Sequence, residues 1–121
     1  MTYVVARVLI ASAFLGFGLE PLLGAVGILP DRGTPTVPWM LFYGFQALAG
    51  IVLMIGWQAT RISIVMAVMI AVDAFSTHPF WSYGGAEQHE HLMHFLKNLS
   101  VIGGLLLVSW VAEQETAGMR R

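Results

Sequence analysis

Between His89 and Trp110 the chain reads HEHLMHFLKNLSVIGGLLLVSW. The second half is apolar, but the first half carries groups that could do chemistry. Histidine titrates near neutral pH and can give or take a proton. Lysine and asparagine donate hydrogen bonds to carbonyl or carboxylate oxygens. Wound into a helix at about 100° per residue, His91, His94, Lys97 and Asn98 fall within an arc of about 120°. They form one polar stripe. Asp73 adds an acid and Gln46 a side-chain amide, and Arg7, Glu20, His78 and His91 are secondary candidates. Such a set could bind a polar ligand and pass protons. Glu87, His89 and Glu90 extend the donor types towards zinc or copper, but the spacing H-x-H-x-x-H matches no strong metal signature. Neutral histidines near a helix start are the plainer reading, so no metal is assigned. A haem between His78 and His94 is also set aside, because Pro79 places His78 near a membrane surface.

The elements that must position these residues follow from composition. Of the 121 residues, 57% are apolar and 11% charged, against about 45–50% and about 25% in ordinary soluble domains. Mean hydropathy is +0.73. A soluble domain this small could not bury so much apolar surface. The expected class is an all-α integral membrane protein, a four-helix bundle in a single domain. A net charge of −1 gives no basic patch for nucleic acid. The absence of cysteine excludes disulfides and Cys-ligated iron–sulfur clusters within this chain.

A spanning helix needs roughly 20 mostly apolar residues. Four segments qualify, over residues 3–23, 38–57, 60–77 and 89–111. The first lacks a basic stretch before it and is read as a retained helix. Gly/Pro-rich loops separate the first pair and the last pair, and QATR links the middle two. The N-terminus, Arg61, Arg120 and Arg121 fall on one side, and Arg32 on the other. By the positive-inside rule both termini are expected in the cytoplasm. Trp39 and Trp57 bracket the second helix, roughly 27 Å apart at 1.5 Å per residue. Trp81 and Trp110 sit at the ends of the third and fourth, as an aromatic belt requires. Ser12 with Gly16, and Ala47 with Gly50, could let helices approach closely.

These directions bring Gln46, Asp73, Lys97 and Asn98 to similar depth on three helices. Asp73 shares its helix face with Ser76 and Thr77. An unpaired charge in hydrocarbon is expensive, so Asp73 and Lys97 are the expected partners. On its own that pair could simply fix helix register. With His94 and Asn98 beside it, a ligand pocket opening to the outer side is expected, formed by Gln46, Asp73, His94, Lys97 and Asn98.

Three stretches resemble the DoxX family of small four-helix membrane proteins: RVLIASAFLGFG (Arg7 to Gly18), STHPFW (Ser76 to Trp81) and HFLKNLSVIGGLLL (His94 to Leu107). The last is the specific one. One departure is Glu20, where the family often has a lysine soon after the first-helix glycine. The resemblance implies a membrane protein linked to electron transfer; the expected location is the plasma membrane, multi-pass, and the expected ligand a quinone or similar small molecule. Lys97, Asn98 and Gln46 would then donate to the quinone carbonyls, and Asp73 with His94 would carry protons. No cofactor is expected within the chain itself, so a membrane or peripheral redox partner, or a second copy, would exchange the electrons. Whether the chain is catalytic stays open. Two other readings stay open: a structural or assembly subunit of a larger membrane complex, and a small transporter.

Overall fold

The computed structural model describes residues 1–30 and 35–119. Arg32, Arg120 and Arg121, which carry part of the orientation argument, lie outside the described residues. Among the described residues the chain is all-α. Helix α1 is Thr2–Ala25, α2 is Val37–Ile55, α3 is Ala59–Thr77 and α4 is Gly85–Met119, with a short 3₁₀ turn at Phe80–Ser82. Each of the four helices is long and apolar enough to cross a membrane. Large apolar side chains stand exposed along them, among them Leu41, Leu48, Ile55, Val68, Val72 and Leu107. In water that surface would be costly, whereas lipid tails accept it. All four tryptophans are exposed as well, as interfacial anchors are.

Contacts divide the chain into two compact units, Met1–Ala59 and Thr60–Arg121. In the first, α1 packs against α2 backbone to backbone. A Cβ on Gly18 would lie 2.5 Å from the Tyr43 carbonyl oxygen and 2.6 Å from the Ala47 nitrogen. One on Gly50 would lie 3.0 Å from the Ala11 oxygen and the Leu15 nitrogen. The missing side chains are what permit this approach. Of the small residues expected to do so, Ala47 and Gly50 take part. Gly16 has nothing within 4 Å of a Cβ, and the Ser12 hydroxyl bonds back to Leu9 O of its own helix at 2.7 Å.

Both helix ends in this unit are closed by the backbone. After α1, the Ile28 N–H reaches Leu23 O at 2.9 Å and the Gly27 N–H reaches Gly24 O at 3.0 Å. This is the paired closure of a Schellman motif. At the end of α2, Gly56 turns left-handed at φ 88°. Against it lies Arg7, whose Nη2 donates to Met54 O at 3.3 Å.

In the second unit α3 and α4 run antiparallel. Residues early in α3 meet residues late in α4: Ser109 Oγ donates to Thr60 O at 3.1 Å, and Asn98 Nδ2 donates to Asp73 Oδ2 at 3.2 Å. Ser63, Met66, Ala67, Ile70 and Ala74 form the buried stripe of α3 in this unit, at the spacing a 3.6-residue period dictates. Pro79 lacks an N–H and restrains His78 before it, so α3 stops. The 3₁₀ turn then brings the chain back. Phe75, Phe80 and Trp81 pack on Phe95 of α4, with ring centroids 5.2, 5.3 and 6.2 Å away.

Helix α4 starts at Gly85 rather than near residue 89, and continues to Met119 rather than 111. Its 35 residues give a length of about 52 Å, well beyond a hydrocarbon core of about 30 Å. The added ends are polar but rich in Ala, Glu and Gln, which are good helix formers. Glu87 in the first turn also complements the positive end of the helix dipole.

Candidate ligand-binding site

Where α3 gives way to the 3₁₀ turn and α4 passes alongside, the second unit gathers its polar side chains. Asp73 is partly buried and holds the centre. Its Oδ2 accepts from the Asn98 amide at 3.2 Å, and its Oδ1 from the Thr77 hydroxyl at 3.1 Å. The same hydroxyl lies 2.7 Å from Asp73 O, so its one proton is shared. Asn98 is 7% exposed, and donating to a carboxylate is what makes that burial tolerable. Lys97, the partner that charge alone suggests for Asp73, is engaged elsewhere. Its ammonium donates to His94 Nδ1 at 3.3 Å.

One turn closer to the helix start are the histidines. His78 Nδ1 and His91 Nδ1 stand 3.3 Å apart. A hydrogen bond between them needs a proton on one nitrogen and a lone pair on the other, so this contact suits rings in opposite tautomers. His78 also stacks on His94 at 4.9 Å and 15°, and Tyr83 stacks on His91 at 4.1 Å and 16°. The Lys97 contact requires a lone pair on His94 Nδ1, which places the His94 proton on Nε2. His94 and Lys97 are exposed at this corner.

Of the expected ligand residues, the structure brings together Asp73, His94, Lys97 and Asn98, and adds His78 and His91 to them. Gln46 is buried in α2, in the first unit. Arg7 serves the first unit too. Its guanidinium caps the α2 carbonyl end and lies 5.1 Å over the Tyr3 ring. Glu20 lines a cavity beside the end of α1. Two members of the cluster are additions. Thr77 was expected only to share the Asp73 face, and no motif pointed to Tyr83. The signal for Tyr83 is the short stretch between Pro79 and α4, which leaves it little choice but to fold over His91.

Among the described residues no three His, Asp or Glu side chains converge as a metal centre needs. The cluster is a set of hydrogen-bond donors, acceptors and ring faces. It can bind and orient a polar partner.

Four spanning helices and a polar corner on one helix pair define a small multi-pass membrane protein. Residues 42–116, more than half of the chain, match the model of the SURF4 family, and the chain belongs to that family. No curated protein and no solved structure matches it. The match corrects the DoxX resemblance, and the redox-associated, quinone-binding subunit that the resemblance implied falls with it.

The residues behind that resemblance have packing duties that explain why they misled. Phe95 and Trp81 join the aromatic corner, Asn98 holds Asp73, and Leu105 is fully buried. RVLIASAFLGFG lies outside the matched residues altogether.

Proposed function

We propose that this chain is a cargo receptor of secretory transport, acting in membranes of the secretory pathway and binding its cargo at the α3–α4 corner. The observation that carries this reading is the family match, which spans every residue of the polar cluster from Asp73 to Asn98. The chemistry of the corner supports recognition over catalysis. Asp73 is engaged by Thr77 and Asn98, while Tyr83 and the histidines present stacked rings, and His94 and Lys97 stand exposed beside them. Exposed ring faces, imidazoles and a cation of this kind suit polar and aromatic groups on an extended segment of the cargo.

The same reading puts both termini on the cytosolic face, with Arg61 beside the short α2–α3 link, and turns the corner to the opposite face. With no native cysteine, single-cysteine variants can report sidedness. A cysteine at residue 86 should react with an impermeant reagent from the side opposite to one at residue 58. The function is tested by comparing secreted proteins in cells with and without the chain. A defined subset should be retained without it, and export should return with the native chain but not with His94→Ala/Lys97→Ala. An unchanged secreted set, or full rescue by the double variant, rules the proposal out.

A further inference from the structure

The connection from α3 to α4, residues 78–84, is fastened to α4 through side chains. Its backbone N–H groups bond within the connection: Phe80 donates to His78 O at 2.8 Å, Ser82 to Pro79 O at 2.9 Å and Tyr83 to Phe80 O at 3.3 Å. Two side-chain fastenings hold this strap against the helix. One is apolar, with Phe80 and Trp81 on Phe95. The other is made of imidazoles and a phenol, with His78 on His91 and His94, and Tyr83 on His91. We propose that the second fastening is an acid-released latch: when His78 and His91 are both protonated, this side of the strap lifts off α4. The latch borders the corner assigned to cargo, but it is a property of the chain alone and does not rest on the cargo-receptor reading.

The facing Nδ1 atoms decide the sensitivity. At 3.3 Å their contact needs one proton and one lone pair. Two neutral rings supply these, and so does one cation beside one neutral ring. Two cations do not, because two N–H groups then face each other. In the closed state the second proton is opposed by the first. His94, stacked on His78, and Lys97, which contacts His94, add to that opposition. The acids nearby are Asp73 on α3, and Glu87 and Glu90 within about one turn of His91 on α4. Asp73 already accepts from Asn98 and Thr77, and the two glutamates are exposed, where water and salt screen them. From the connection itself Tyr83 faces the pair, through the flat side of its ring. In the open state the two rings are apart and hydrated, so the second proton binds there more readily. The state that binds more protons gains as pH falls, and acid draws the strap open.

The backbone permits the motion. Gly84 and Gly85 stand between Tyr83 and the body of α4, and a Cβ on either would meet nothing within 4 Å. Gly85 sits at φ 61°, a left-handed conformation that glycine adopts without strain. Successive glycines in open space absorb backbone rotation as a hinge does. Phe80, Trp81 and Phe95 contain no titrating group and keep the strap attached, so the opening is local.

The test uses the full chain in detergent with a nitroxide on Ser82→Cys, since the chain has no native cysteine. Spectra are taken from about pH 8 to about pH 5, the range in which histidine changes charge and above the ordinary titration of carboxylates. The label should pass from mainly immobile to mainly mobile as pH falls. His89→Gln, which removes the histidine outside the latch, should keep the step. His78→Gln/His91→Gln should lose it, because amides donate and accept at every pH in the range. Helical circular dichroism establishes that the helices persist throughout. A label that stays immobile in the native background overturns the latch. So does a step that persists in the double glutamine variant or vanishes with His89→Gln. If the double variant does not fold, the native chain gives a second reading. The Tyr83 ring stacks on His91 at 4.1 Å, and its ring-proton resonances should lose their stacking shift over the same pH range. Resonances that keep that shift down to about pH 5 overturn the proposal.

Discussion

Asn98 of α4 donates to the Asp73 carboxylate of α3 at 3.2 Å, from a side chain that is 7% exposed. Each residue satisfies a group the other could not leave bare in an apolar setting. Removing one partner strands the other, and a stranded charged acceptor costs more than the net value of the bond. Asn98→Ala should therefore lower stability more than Asp73→Asn, which keeps an acceptor oxygen for the amide. A double-mutant cycle, read from unfolding in mixed micelles, should give a coupling of about 1 kcal/mol between the two positions. A coupling near zero would mean the contact does not hold the helices together.

This pairing also shows where the sequence stopped being informative. Charge alone made Lys97 the expected partner of Asp73. Neighbouring positions on a helix point about 100° apart, so Lys97 and Asn98 meet a facing carboxylate at different angles. Which of them pairs with it depends on the rotation of α4, and that is set by packing at Phe95, Leu105 and Val108. The spans were legible because four apolar runs of roughly 20 residues match the thickness of a bilayer and exceed what so small a core could bury. The ends of α4 were not, because loss of apolarity marks where a helix leaves lipid, not where it unwinds. The six residues of the polar corner other than Thr77 and Tyr83 were all visible as candidates. The family was misread because the quoted stretches record helix packing, which unrelated membrane proteins can share.

The contact between α1 and α2 makes a ranked prediction. At Gly18 an added Cβ meets backbone atoms at 2.5 and 2.6 Å, at Gly50 it meets them at 3.0 Å, and at Gly16 it meets nothing within 4 Å. Backbone cannot swing aside as a side chain can. Gly18→Ala should cost about 1–3 kcal/mol, the range for overpacking, and Gly50→Ala less. Gly16→Ala should be neutral or stabilising, since alanine is the better helix former by roughly 0.5–1 kcal/mol. Thermal unfolding of the three variants checks the order, and a Gly16 variant as damaged as Gly18 would contradict the packing.

Arg7 was a candidate for a ligand, and its surroundings give it a structural task. The guanidinium lies against Gly56 and donates to Met54 O, among the carbonyls that α2 cannot satisfy internally. A positive charge there also opposes the negative end of the helix dipole. Arg7→Met should cost about 1–2 kcal/mol of stability. Gly56→Ala should be at least as damaging, because a Cβ would meet the guanidinium at 2.5 Å and φ of 88° is strained for alanine. Both are read by thermal unfolding, and an Arg7 variant as stable as the native chain would contradict the capping role.

The facing nitrogens of His78 and His91 allow a direct spectroscopic test of the corner. At 3.3 Å between the two Nδ1 atoms, one ring must donate and the other accept. Nitrogen-15 spectra of the histidine side chains should show one ring protonated at Nδ1 and its partner at Nε2, with His94 also at Nε2 because Lys97 occupies its Nδ1. Only four histidines are present in the chain, so His89→Gln leaves just these three signals to assign. His78→Ala removes one half of the pair, and only the His91 and His94 resonances should shift in response, since His78 touches both rings. Acidification that protonates both members of the pair puts two N–H groups face to face, and the contact must then open. If cargo is held at this corner, its affinity should fall over the same pH interval in which the paired signals disappear. Affinity that stays constant while those signals change would separate the histidine pair from the binding surface.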